Sequence, residues 1–242
     1  MPAFLLSCRT NTDVQWIIYT DVDVAGPVPP NISIKQTRVA DLNQRCSERL
    51  GTNIDIQRRK LCDLKVTYGI VFADDLAPFD FWGCSDLDII WGDIRRFATD
   101  ARLRELDIFS SRKEKLSGHC TFYRNTAEVN RLFERIPNVR ALLATSHYEH
   151  LDERELTKYV RPDPRVYWED ELATNAAHQK ALGDQDLWWK NGRTFGPDGR
   201  ELMYIHFHKL KQDMKTIDFG AADTPARSGS IETESSRLSG GK

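Results

Sequence analysis

Apolar positions fall in short runs separated by polar or Gly/Pro-rich breaks, and the runs switch between strand-like and helix-like spacing. Residues 14–20 (VQWIIYT) combine β-branched and aromatic side chains and end at Asp21 and Asp23, beyond which Gly26, Pro27, Pro29 and Pro30 force a loop. Residues 38–50 (RVADLNQRCSERL) place Val39, Leu42 and Cys46 on one helical face, with Gly51 as a natural stop. Residues 60–72 (KLCDLKVTYGIVF) predict a largely buried helix. Residues 79–90 (FDFWGCSDLDII) predict a buried strand running into an acidic turn, and 92–106 a second helix with Ile94, Phe97, Ala101 and Leu106 facing inward. Short strands are expected at 107–110 and 120–123, a helix from position 127 and late strands at 165–168 and 203–207. Strands alternating with helices are the pattern of an α/β architecture. No internal repeat is visible. From Ala221 onward the chain is Ser, Gly, Thr and charged residues with almost nothing apolar, so the expected organisation is one domain over 1–220 and a disordered tail over 221–242.

The 242 residues suffice for a sizeable core. Lys plus Arg number 34 and Asp plus Glu 36, a net charge of −2, which argues against a nucleic-acid partner or a polybasic membrane-surface binder. The cysteines, Cys8, Cys46, Cys62, Cys84 and Cys120, are scattered and form no C-x-x-C pair. A zinc ribbon or disulfide scaffold is therefore not expected, and a reducing compartment is. No apolar run approaches the roughly 18 residues needed to span a bilayer. Residues 1–8 (MPAFLLSC) lack the basic start and the apolar length of a signal peptide. The expectation is a soluble cytoplasmic protein.

The most informative chemistry lies at Asp86-Leu87-Asp88. In an extended chain side chains alternate between faces. Asp86 and Asp88 are then expected on one face, with Leu87 pointing into the apolar interior. Two carboxylates closing a buried strand form a hard, oxygen-rich site suited to Mg²⁺ or Mn²⁺ sharing ligands with phosphate oxygens. Ligands of open α/β sheets gather at the carboxyl ends of strands, so the expected cargo is a metal–diphosphate, most economically that of a nucleotide sugar. Asp-x-Asp also occurs at Asp21/Asp23 and Asp184/Asp186. The apolar flanks of Asp86/Asp88 set that pair apart, because buried carboxylates there are costly without a cation or donor.

The stretch 60–97, with FWG-x-x-DLD-x-x-x-GD at its centre, resembles the core signature of a poorly characterised, glycosyltransferase-like bacterial family often found among polysaccharide-biosynthesis genes. The likeness continues through GHCTFYRN (118–125), LDE (151–153), YIHFHK (204–209) and the early SCRTNTDVQWIIYTD (7–21). The resemblance implies a GT-A-like fold, a Rossmann-like mixed sheet flanked by helices. It also implies a metal-assisted transferase that uses a nucleotide sugar, with Asp86 and Asp88 as its D-x-D motif. Family members begin with a further strand and a Pro-Tyr-Phe-Gly-like turn before the segment matching Phe4, so the implied fold here lacks that first strand. The implied partners are a nucleotide sugar and a saccharide or lipid-linked saccharide acceptor. The implied location is the cytoplasm, with peripheral association at the inner membrane face.

Further residues fit this chemistry. Asp63 is a candidate for the donor's base or sugar, Lys65 for its phosphate as a point charge, and Asp86 for donor and metal together. His206 is a candidate third metal ligand, since imidazole tolerates Mn²⁺; His208 shares its face by alternation. Asp152 and Glu153 are candidates for the carboxylate that takes the acceptor hydroxyl's proton. His119 and Trp188 are candidate acceptor contacts, an aromatic face being able to stack on a sugar ring. Each has an ordinary structural alternative: a helix start for Asp63, Asp152 and Glu153, a hydrogen-bonding core residue for His119, and core packing for Trp188 and Trp189.

Two other functions compete. IIYTDVDV (17–24) resembles the nucleophile motif of haloacid-dehalogenase phosphatases, with Asp21 attacking phosphorus and Asp23 as acid/base, although Ala25-Gly26-Pro27 lacks the expected hydroxyl and helix start. Alternatively, the chain is a catalytically inactive GT-A-like binding protein.

Overall fold

The computed structural model describes residues 2–57, 59–169, 173–175, 187–208, 210 and 237–238. The strands are β1 (Trp16–Thr20), β2 (Ile32–Gln36), β3 (Phe81–Ser85), β4 (Ile89–Trp91), β5 (Ile108–Ser110), β6 (Cys120–Arg124), β7 (Val166–Trp168), β8 (Ala173–Asn175), β9 (Leu187–Lys190), β10 (Arg193–Phe195), β11 (Glu201–Leu202), β12 (Tyr204–His206) and β13 (Arg237–Leu238). The α-helices are α1 (Pro2–Arg9), α2 (Val39–Leu50), α3 (Lys60–Leu64), α4 (Tyr68–Val71), α5 (Ala73–Leu76), α6 (Ile94–Phe97), α7 (Asp100–Glu105), α8 (Val139–Ala144) and α9 (Leu156–Val160). This is a mixed α/β protein, and it divides into two compact units. One unit comprises Met1–Lys35, Asp86–Asp100 and Glu171–Lys242; the other comprises Gln36–Ser85 and Ala101–Asp170.

In the first unit, β12 pairs antiparallel with β4 and parallel with β8, giving the order β4-β12-β8. A second sheet runs β11-β10-β9-β13, all antiparallel. Arg237–Leu238, within the segment expected to be disordered, thus pairs with β9; most of that tail lies outside the described residues. Burial of large side chains organises this unit. Trp91 lies 6.4 Å from Trp16 and 5.2 Å from Tyr204 between ring centroids, and Trp189 Nε1 donates to the Trp91 carbonyl at 3.2 Å. The apolar start of the chain is a helix, α1, whose Ala3, Phe4, Leu5 and Cys8 are buried and which packs on β4. Gly92 follows β4 at a close approach: a Cβ there would stand 2.5 Å from Thr194 Oγ1 and 2.8 Å from the Leu202 carbonyl, so only glycine lets β10 and β11 come this near. Asn11 fixes the same corner, donating to the Gly92 carbonyl and accepting from the Ile94 N–H, both at 2.8 Å.

In the second unit the sheet order is β3-β6-β5-β7, with β6 antiparallel to both neighbours and β7 parallel to β5. Cross-strand aromatic pairs hold it. Trp82 stacks on Tyr123 at 4.5 Å, and Phe109 stacks on Phe122 at 5.7 Å and Tyr167 at 5.1 Å.

Helix α2 and its Gly51 stop match the sequence pattern; Gly51 sits at φ 63° and donates to the Ser47 carbonyl. The expected helix over 60–72 is broken into α3, a 3₁₀ turn at Lys65–Thr67 and α4. Leu64, Lys65, Val66 and Thr67 are all buried. Four consecutive buried residues cannot share one stripe of a straight α-helix, and the tighter turn accommodates them. The expected helix over 92–106 is likewise two, α6 and α7, because Ala98 leaves helical geometry at ψ 65°. The helix expected from 127 is a 3₁₀ helix, Val129–Arg135.

Candidate metal centre

The strand expected over 79–90 is interrupted where the chemistry lies. β3 ends at Ser85, β4 begins at Ile89, and Leu87 and Asp88 form a turn. Leu87 is 44% exposed at its tip, which corrects the expectation that it points into the interior. The carboxylates therefore do not converge by strand alternation. The turn brings Asp86 and Asp88 together, and the β4–β12 pairing adds the third group. His206 stands opposite Ile89, and one step further the Phe207 N–H donates to the Asp88 carbonyl at 2.7 Å. His206 Nε2 then lies 3.3 Å from Asp88 Oδ1, with both side chains buried. Asp86, Asp88 and His206 each offer one ligand atom, and these atoms lie within 4.8 Å of one another.

Two carboxylate oxygens and one imidazole nitrogen, most of the set buried, suit a divalent cation such as Mn²⁺ or Mg²⁺. Burying Asp88 is costly unless a positive partner compensates it. His208, one position past Phe207, is exposed, and its ring centroid lies 5.6 Å from that of His206.

In the second unit, Asp63 and Lys60 are fully buried. Lys60 Nζ donates to Asp63 Oδ2 at 3.2 Å, to the Leu142 carbonyl at 2.7 Å and to the His147 carbonyl at 3.1 Å. Asp63 accepts the backbone N–H of Glu149 at 2.8 Å and of Leu151 at 3.0 Å. Its carboxylate thus grips the turn on both sides of His150, a non-glycine residue at φ 58°. Lys65, also buried, donates to the Gly118 carbonyl.

The chain next forms a π-turn, Leu151–Glu155, which carries Asp152 and Glu153. Asp152 is 4% exposed; burial pushes its carboxyl up to about 6, Glu153 and Asp63 add to the rise, and Lys65 and the Tyr148 hydroxyl oppose it. Burial also pushes Glu153 up, but the ion pair with Lys115, the charge of Arg112 and the Gly118 N–H outweigh it and leave its carboxyl below the ordinary value. His119 is buried. Trp188 occupies β9 opposite Phe195, and of its side chain nothing is described. Trp189 is core. Asp21 and Asp23 are exposed beyond β1, outside any metal-holding group among the described residues. Asp184 and Asp186 lie outside the described residues.

Lys60, Tyr148 and Gly118 escaped the sequence reading. Lys60 reads there only as the first residue of a largely buried helix over 60–72, and nothing local reveals that its amine meets carbonyls 82 and 87 positions later.

Fold and cluster together define a mixed α/β protein with a candidate divalent-metal centre. The model of DUF6625, a family of unknown function, matches residues 1–226, and the chain belongs to that family. The sequence matches no curated protein. Among solved structures it is similar to the crystal structure of a glycosyltransferase involved in the glycosylation of the major capsid of PBCV-1, with 10% identity and a TM-score of 0.40 over 73% of this chain and 90% of that one. No helix among the described residues is long and apolar enough to cross a membrane.

Proposed function

We propose that this protein is a divalent-metal-dependent glycosyltransferase that moves a sugar from a nucleotide-sugar donor to a saccharide or lipid-linked saccharide acceptor in cell-surface polysaccharide biosynthesis. The observation that carries the reading is the convergence of Asp86, Asp88 and His206 within 4.8 Å, a donor set fit for Mn²⁺ or Mg²⁺. The resemblance of FWG-x-x-DLD-x-x-x-GD to a glycosyltransferase-like signature supports the finer identity.

A bound divalent cation supplies positive charge against the departing diphosphate. Asp86 and Asp88 would hold that cation through carboxylate oxygens, and His206 would offer its ring nitrogen as a third donor. In the transfer the acceptor oxygen bonds to the anomeric carbon. The bond from that carbon to the diphosphate oxygen breaks, its electron pair leaves with the diphosphate, and the acceptor hydroxyl loses its proton. Asp63 serves to pin the turn around His150, since both its oxygens are already bonded within the protein.

The test is a thermal-shift screen of UDP-, GDP-, CMP- and dTDP-sugars with and without Mn²⁺. At ligand concentrations 100-fold above Kd, native-state binding adds about 2.7 kcal/mol, which in a chain of this size raises Tm by roughly 5–10 °C. The expected result is a shift with at least one nucleotide sugar only when Mn²⁺ is present. Absence of any metal-dependent shift across the panel would refute the reading.

A further inference from the structure

His150 stands at φ 58° and ψ 37°, and the protein fixes its backbone on both sides. The Glu149 and Leu151 N–H groups donate to the buried Asp63 carboxylate at 2.8 and 3.0 Å. The His150 carbonyl accepts the N–H groups of Arg154 at 2.9 Å and Glu155 at 3.2 Å. The side chain is treated in the opposite way. Its ring packs on that of Tyr148, 4.0 Å between centroids, and its Nδ1 is buried with no hydrogen-bond partner among the described residues. A histidine in the left-handed region carries strain that glycine or asparagine largely avoids. A buried ring nitrogen without a partner adds a second cost. The turn gains no hydrogen bond from either, since its bonds at 149–151 use backbone groups and the Asp63 carboxylate. Strain that the surroundings hold in place marks a functional position.

We infer that His150 is a ligand-contacting residue of the second unit, which donates a hydrogen bond from Nε2 to an oxygen of a neutral saccharide. In the neutral ring one nitrogen carries the proton and the other a lone pair. Buried N–H groups without a partner are rarer than under-satisfied acceptors, so the proton belongs on Nε2. His150 is half-buried, and of its two ring nitrogens only Nδ1 is sealed without a partner. Nε2 is thereby the nitrogen open to a ligand. A neutral ligand fits the charges of this segment. Lys60 is spent on Asp63 and two carbonyls, Lys65 donates to the Gly118 carbonyl, and Lys115 pairs with Glu153. Glu149, Asp152 and Glu153 surround the position in sequence; carboxylates repel phosphate and accept hydroxyl protons. The choice of a saccharide among hydroxyl compounds rests on the transferase reading; the donor role of His150 does not.

The experiment uses the full chain, with neutral methyl glycosides, glycerol and inorganic phosphate as probes in the absence of metal. Ring ¹⁵N NMR should assign the proton of His150 to Nε2. At least one methyl glycoside should shift the His150 resonances saturably, and glycerol and phosphate should not. His150→Asn keeps a side chain that tolerates the left-handed region, and His150→Gly removes the side chain altogether. Both variants should melt within about 2 °C of wild type or above it, yet bind the glycoside at least about tenfold more weakly. A fall in Tm of more than about 5 °C in both variants assigns His150 to the fold and overturns the inference. A proton on Nδ1, equal shifts with glycerol or phosphate, or no glycoside shift in wild type also overturns it. If no nucleotide sugar binds the protein, the transferase reading falls, and the NMR and melting arms still decide His150.

Discussion

Asp63→Leu is expected to lower the unfolding free energy by about 3–5 kcal/mol, the cost of stranding the buried partner of an ion pair. Asp63 and Lys60 have 0% side-chain exposure, so neither can turn to water when the other is removed. The substitution strands the Lys60 ammonium among carbonyls and also takes the acceptor from the Glu149 and Leu151 N–H groups. Lys60→Met should cost less, because Asp63 keeps those two backbone donors. Total stabilities of about 5–15 kcal/mol are typical, so the larger loss consumes much of the margin. Urea denaturation at neutral pH measures both, and the expected order is Asp63→Leu well above Lys60→Met. Losses of under about 1 kcal/mol for Asp63→Leu would contradict the clamp.

Asp88→Asn is expected to reduce metal-dependent turnover of a nucleotide sugar by roughly 100- to 1000-fold, the usual loss when charge stabilisation of a leaving group is removed. Asparagine keeps the size of the side chain, so the turn and the Phe207 N–H bond to the Asp88 backbone carbonyl should survive. Unchanged melting in the absence of metal, combined with lost turnover, separates loss of the cation from loss of the fold. Asp21→Asn is the contrasting variant. Asp21 is exposed, so it should leave turnover unaffected; a phosphatase acting through Asp21 would lose everything.

Local chemistry made part of this legible in the sequence. Gly51 marked the end of α2 because only a left-handed residue closes that helix well. Asp86 and Asp88 stood out because carboxylates between apolar runs need compensation. His206 was legible only as a possible ligand, since its meeting with Asp88 depends on β12 pairing with β4, a contact between segments far apart in the chain. The acidic turn was legible, but the exposure of Leu87 within it was not, because the alternation of an extended chain assigns that side chain to the interior. The broken helix at 60–71 was hidden for a related reason: hydrophobic periodicity cannot register a buried Lys60–Asp63 pair. The positive φ of His150 leaves no trace in composition, because it is imposed by Asp63 from another element.

The central claim is that Asp86, Asp88 and His206 hold one divalent cation. Titration calorimetry of Mn²⁺ into wild type, Asp88→Asn and His206→Ala, each also with inorganic pyrophosphate, tests it most directly. The account predicts one Mn²⁺ per chain in wild type, strengthened by pyrophosphate, and at least a tenfold weaker affinity in each variant. Equal Mn²⁺ affinity in all three proteins, or none in wild type at millimolar metal, would contradict it.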